Sequence, residues 1–171
     1  ADTALRSGLR ARESLRMASA ELESLIDAAA SRDLQAAAEA AANLAQRQRE
    51  AAEASAAAAA GSPSDAELAN MEAGQRALQD QFESLLEAMN QRAGALSGSS
   101  PEVSRALSEA AAAAREGGIS PDMERAANAL LYGQPGMARG PQESAAGDLD
   151  RMAARLSDSG REIASSPTNR A

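Results

Sequence analysis

The chain has 171 residues and a formal net charge of −8; it contains no cysteine, histidine, tryptophan or lysine, and roughly a quarter of it is alanine. Those absences leave a serine nucleophile without its usual base and exclude cysteine nucleophiles, lysine Schiff bases, P-loops and zinc or copper sites built on His and Cys. The acidic balance disfavours nucleic acid, whose phosphates need a basic face, and disfavours anionic membrane surfaces too.

Residues that stabilise strands are scarce. Val103, three isoleucines, Thr3, Thr168, Phe82 and Tyr132 stand against a background of alanine, leucine, glutamate, glutamine and arginine, the strong helix formers. The composition predicts an all-α fold. Alanine buries little area, so an alanine-rich core stabilises through close helix–helix approach rather than bulk. The expected architecture is an antiparallel coiled-coil-like bundle of long helices over 1–96, followed by shorter helices over 101–163.

A first helix is expected over about 2–29, with Leu5, Leu9, Leu15, Leu22, Leu25 and Ile26 on its apolar side. Ser31-Arg32-Asp33 then offers a polar break with Asp33 as N-cap; the alternative is one helix running straight through. A second helix over about 33–60 carries the seam Leu34, Ala37, Ala41, Leu44, Gln48, Ala51, Ser55, Ala58, in alternating steps of three and four. Gly61-Ser62-Pro63 ends it, and Ser64 with Glu67 has the spacing of a capping box. The third helix, about 65–96, repeats Leu68, Met71, Gln75, Leu78, Phe82, Leu85, Met89 and Leu96 at heptad spacing, with Arg92 the polar exception.

Shorter helices are expected beyond Gly98-Ser99-Ser100, over about 101–116, 121–132 and 141–163. Ser100-Pro101-Glu102 and Ser120-Pro121-Asp122 each place serine at N-cap, proline at N1 and an acid in the first turn. The last helix, starting near Pro141, carries Ala145, Leu149, Met152, Leu156 and Ile163 on one stripe. Residues 164–171 read as a flexible tail.

Four stretches, Leu44-Ala45-Gln46-Arg47-Gln48-Arg49-Glu50, Gln75-Arg76-Ala77-Leu78-Gln79-Asp80-Gln81-Phe82, Met123-Glu124-Arg125-Ala126 and Gly140-Pro141-Gln142-Glu143, resemble the envelope portion of large bacterial inner-membrane proteins of unknown function. There, alanine-, arginine- and glutamine-rich helices follow a membrane-anchored part. The likeness covers 34–156, its motifs are of low complexity, and it implies a bacterial periplasmic or envelope location, with the cytoplasm as the alternative. It brings no catalytic residues with it.

Carboxylates remain as candidates for chemistry. Asp148 and Asp150 are the nearest approach to an oxygen-ligand metal site, but on a helix two residues so spaced diverge by about 200°. Two acids can hydrolyse glycosides, yet the sugar platform that normally accompanies them needs more than one Phe and one Tyr. The expectation is therefore no catalytic, cofactor-binding or metal site, no small-molecule substrate, no nucleic acid and no membrane span. It is instead a non-catalytic scaffold or interaction protein that pairs with itself or a protein partner, including a membrane protein complex. The alternative is a protein whose amphipathic helices coat a lipid or other apolar surface. Function would then reside in surfaces, and the segment 133–141, read as an irregular connector rich in Gly and Pro, offers Tyr132 and Met137 as partner-binding candidates. Tyr132 also reads as a half-buried helix cap, and the segment as a plain connector.

Overall fold

The structure, a computed structural model, describes residues 2–165, with side chains from Arg12 onward except Glu23 and Asp27. All five elements among the described residues are helices: α1 (Asp2–Ala60), α2 (Asp65–Leu96), α3 (Pro101–Glu116), α4 (Ile119–Leu131) and α5 (Pro135–Ser165). The fold is all-α, as expected. The tail expected over 164–171 is helical to Ser165, and its remainder lies outside the described residues.

Two expected boundaries are corrected. The break at Ser31-Arg32-Asp33 does not exist; α1 is one helix of 59 residues. Polar residues tolerate a helix, whereas Gly and Pro stop one, and α1 has no glycine after Gly8 and no proline. Ala30 and Leu34 on either side are fully buried, and Asp33, rather than capping, accepts a hydrogen bond from Arg92 of α2 at 2.7 Å. The expected separate helices 2–29 and 33–60 are therefore one element, and the hairpin expected between them is absent.

The second correction concerns 133–141. α5 starts at Pro135, so Pro141 lies inside it and most of the supposed irregular connector is helical. Pro135 supplies a good first-turn residue, because the N–H it lacks would be unpaired there. Pro141 removes the bond that would reach the Met137 carbonyl, a cost set against burial of Pro135, Ala138 and Gln142 on the same face. The true turn is confined to Tyr132–Gln134. Gly133 adopts φ +68°, its N–H bonds to Leu130 O at 3.0 Å, and the Gln134 N–H reaches Ala129 O at 2.8 Å. This pair of bonds is the Schellman stop, which needs a left-handed residue and so favours glycine.

Cross-helix contacts give the topology. As α1 advances from Leu34 through Arg49 to Ala59, its α5 neighbour recedes from Gly160 through Asp150 to Gly136. As it advances from Asp33 to Arg47, its α2 neighbour recedes from Arg92 to Gln81. Both neighbours run antiparallel to α1, and the α5 contact is the more extensive. α3 begins beside the end of α2, where the Ser104 hydroxyl donates to Ala93 O at 2.7 Å. α4 reaches the opposite end, where Gly133 approaches Leu68. α3 and α4 each pack on both α2 and α5 and barely touch α1. End to end they fill the third position of an up-down-up-down four-helix bundle.

The seams expected in α1 and α5 are largely buried. In α2 the buried positions are Gln75, Leu78, Phe82, Leu86, Met89, Ala93 and Leu96. Beyond Phe82, Leu86 and Ala93 take the places expected of Leu85 and Arg92, while Met89 and Leu96 are buried where the heptad puts them. A straight helix drifts about 20° per heptad relative to a 3.5-residue repeat, and α2 follows the 3.6-residue period because it faces α1, α3 and α4 together. α4 starts at Ile119 with Gly118 as N-cap (φ +83°), earlier than Ser120 would place it, and Ile119 is buried.

Candidate functional site

The larger apolar core runs through all five helices, and a smaller one gathers Ala126, Leu130 and Ala138 with Met71. Between them lies a polar layer. Gln75 sits between Met71 and Leu78, and Gln142 between Ala138 and Ala145. The Gln142 amide nitrogen donates to Gln75 Oε1 at 3.0 Å in a buried pair. Gln48 and Ser55, on the face of α1 turned into the bundle, are also fully buried. The Gln48 amide and the Ser55 hydroxyl have no hydrogen-bond partner within the protein.

Beside this layer a groove of about 480 Å³ between α1 and α5 is lined by Arg49, Glu53, Arg139 and Glu143 around Ala52 and Ala146, with Arg139 paired to Glu143 and Arg49 to Asp150. Asp148 pairs with Arg151 and Asp150 with Arg49, so each acid of the candidate metal pair is answered by its own guanidinium. Among the described residues no group of three His, Cys, Asp or Glu side chains could hold a metal ion. A groove of about 520 Å³ between α3 and α5 is rimmed by charges of both signs, among them Glu102, Arg105, Glu109 and Arg155. Among the described residues one carboxyl is shifted: the Ser64 backbone N–H, at 2.7 Å, and the Ser64 hydroxyl hold Glu67 below its ordinary value. The Glu67 N–H returns a bond to the same hydroxyl, completing the expected capping box. This is helix-end chemistry.

Exposed apolar surface is the distinctive feature. Among the described residues it occurs in two places. The first is the part of α1 over 12–29, which stands largely clear of the bundle. Every described side chain over 12–29 is exposed except half-buried Ile26, and Leu15, Met17, Leu22 and Leu25 are each at least 59% exposed. Leu15, Ala18, Leu22, Leu25 and Ala29 recur in steps of three and four and form one stripe, with Met17 on the opposite side of the helix. Sequence reading found this apolar side but took it for the inner face of a hairpin; with α1 unbroken, no second helix folds back to cover it.

The second place is the α4–α5 corner. Leu131, Tyr132 and Met137 are exposed there, Tyr132 by 76% and Met137 by 69%. Tyr132 is therefore not the half-buried cap that was the alternative. The Schellman stop turns its ring outward at the C-cap, and Met137 follows in the first turn of α5. The corner packs beside Ala59, with Gly136 close to that residue. The two patches thus lie toward opposite ends of α1, separated by about 55 Å from Leu22 to Ala59 at 1.5 Å per residue.

No helix among the described residues is long and apolar enough to cross a membrane. Comparison with protein-family models found no match to the chain, and comparisons with curated proteins and with solved structures found none either.

Proposed function

We propose that this chain is a non-catalytic scaffold or interaction protein of the bacterial cell envelope, working through helix–helix contacts with itself or with a partner subunit. One observation carries the proposal: the stripe Leu15, Leu22, Leu25 stands exposed on a helix that leaves the bundle. Helices in water owe most of their stability to packing of an apolar face, so an uncovered leucine stripe of this length favours a protein partner. The envelope assignment rests on the resemblance of residues 34–156 to bacterial envelope helices. Tyr132 and Met137 supply a second contact at the other end of α1, where an exposed aromatic and a flexible thioether suit a protein surface.

The alternative is attachment of the same arm to a lipid or other apolar surface. Arg12 and Arg16 beside Leu15 favour it, as basic residues flank the apolar face of interfacial helices; the missing tryptophan and the small alanines oppose it.

Cross-linking in cell extract followed by mass spectrometry tests the proposal. Chain carrying Leu15→Ser, Leu22→Ser and Leu25→Ser should lose the cross-links of the wild type while keeping its helical content. Flotation of wild type with vesicles, lost in the same variant and unaccompanied by protein cross-links, would favour the lipid surface instead.

A further inference from the structure

The exposed arm of α1 is self-complementary, and we infer that its partner is a second copy of this chain, paired antiparallel about a two-fold axis near Ala20. This deepens the proposed function and rests on it. In an antiparallel pair of helices the two kinds of seam position face each other, so residues whose numbers add to a constant meet. Within the stripe, Leu15 then faces Leu25 of the second copy, and Ala18 faces Leu22, with both contacts repeated by symmetry. Each of these central layers holds at least one leucine, and by sequence two alanines, Ala11 and Ala29, meet only at the ends of the overlap.

A parallel pair does worse on the same residues. It stacks Ala18 on Ala18 and leaves a thin layer, and it sets Arg12 and Arg16 beside their own copies. The antiparallel pair carries Arg12 and Arg16 alongside the other copy's stretch 21–27, which by sequence holds acids and no base. The surface is small. A stable interface takes about 20–30 residues a side, whereas pairing about Ala20 overlaps only residues 11–29 of each chain before the two bundles begin, and one face of that stretch makes the contact. An overlap short of that range gives a weak dimer that dissociates on dilution. Every described residue of the stripe is exposed, so pairing requires no rearrangement of the bundle.

Because the chain has no cysteine, a spin label can be placed at one site per copy in the full-length protein, at Ser19→Cys or at Ala28→Cys. The antiparallel register separates the paired labels by about 3 Å along the helix axis at Ser19 and about 24 Å at Ala28, at 1.5 Å per residue. Sedimentation equilibrium accompanies the distances. Leu22→Asp, on an exposed position outside the bundle, should raise the dissociation constant at least roughly tenfold, the scale of losing a central interface residue. Short distances at both labels would mean a parallel pair and would overturn the inference, as would a chain monomeric throughout the micromolar range. The extract cross-links then decide the wider proposal by themselves. A monomeric chain whose arm still cross-links to a different protein refutes the second copy and leaves the scaffold standing; a monomer with no arm-dependent cross-link refutes both.

Discussion

At the scale of single residues, the buried glutamines show how polar groups act in an alanine-rich core. Gln48 is fully buried with neither amide atom bonded to protein, and an unsatisfied buried polar group costs about 1–3 kcal/mol. Gln48→Met keeps the volume and removes the amide, so its denaturant midpoint should rise; a fall would show that the amide is satisfied in solution. The Gln75–Gln142 pair should behave otherwise. Gln75→Leu alone strands the Gln142 amide and destabilises, whereas Gln75→Leu with Gln142→Leu recovers most of the loss, a coupling that a double-mutant cycle measures. Glu67 gives a pH signature. Its folded carboxyl titrates below the unfolded one, chiefly through the Ser64 backbone N–H, so its stabilisation is complete above the unfolded value and is lost as pH falls through the folded value. The difference in melting temperature between wild type and Glu67→Gln should be constant near neutrality and shrink in acid. At the corner, Tyr132→Ala with Met137→Ala should leave helicity intact and weaken partner capture in a pull-down. Unchanged capture would assign binding to the arm alone.

At the scale of elements, the helices were legible wherever a stop signal was chemically strong. Gly61-Ser62-Pro63, the capping box at Ser64, Pro101 and the Gly117-Gly118 pair all mark real ends. Ser31-Arg32-Asp33 misled because its polarity serves an inter-helix pair with Arg92, which no local pattern reveals. Asp33→Ala tests this directly. Loss of this partly exposed ion pair costs about 1 kcal/mol and should leave helical content unchanged, whereas loss of an N-cap would shorten a helix. Pro141 misled because proline usually marks an end, and here the burial of Pro135, Ala138 and Gln142 carries the helix past it. The slip from Leu85 to Leu86 was hidden for another reason: strict heptads and a 3.6-residue stripe diverge only after several turns. The exposure of Leu15, Leu22 and Leu25 was not legible at all, since it follows from α1 being unbroken, while Tyr132 and Met137 were recognisable as an unusual aromatic and thioether beside Gly and Pro. Small residues line the main contact, where Ala41, Ala45, Ala145 and Ala146 are buried at 5% exposure or less. Ala145→Leu should therefore destabilise by about 1–3 kcal/mol through overpacking, read as a lowered denaturant midpoint.

At the scale of the whole molecule, the chain divides into a base and an arm. The base is the four-helix arrangement in which α3 and α4 share one position, closed by α1–α5 contact along nearly all of α5. The arm is the earlier part of α1, rigidly continuous with the base because no glycine or proline interrupts the helix between them. A stiff helix leaving a bundle carries its apolar stripe away from the body, where a second helix can lie along it without disturbing the core. Two such chains joined through their arms would hold their bundles at opposite ends of a shared rod, with the Tyr132 corners outermost, a form suited to spacing or cross-bridging other components. Hydrogen exchange shows whether the arm is a docking surface. Amides of 12–29 should be protected at high chain concentration, lose that protection on dilution, and lack it at every concentration in Leu22→Asp, while amides of 34–55 stay protected throughout. Fast exchange over 12–29 at all concentrations of the wild type would mean that the arm pairs with nothing.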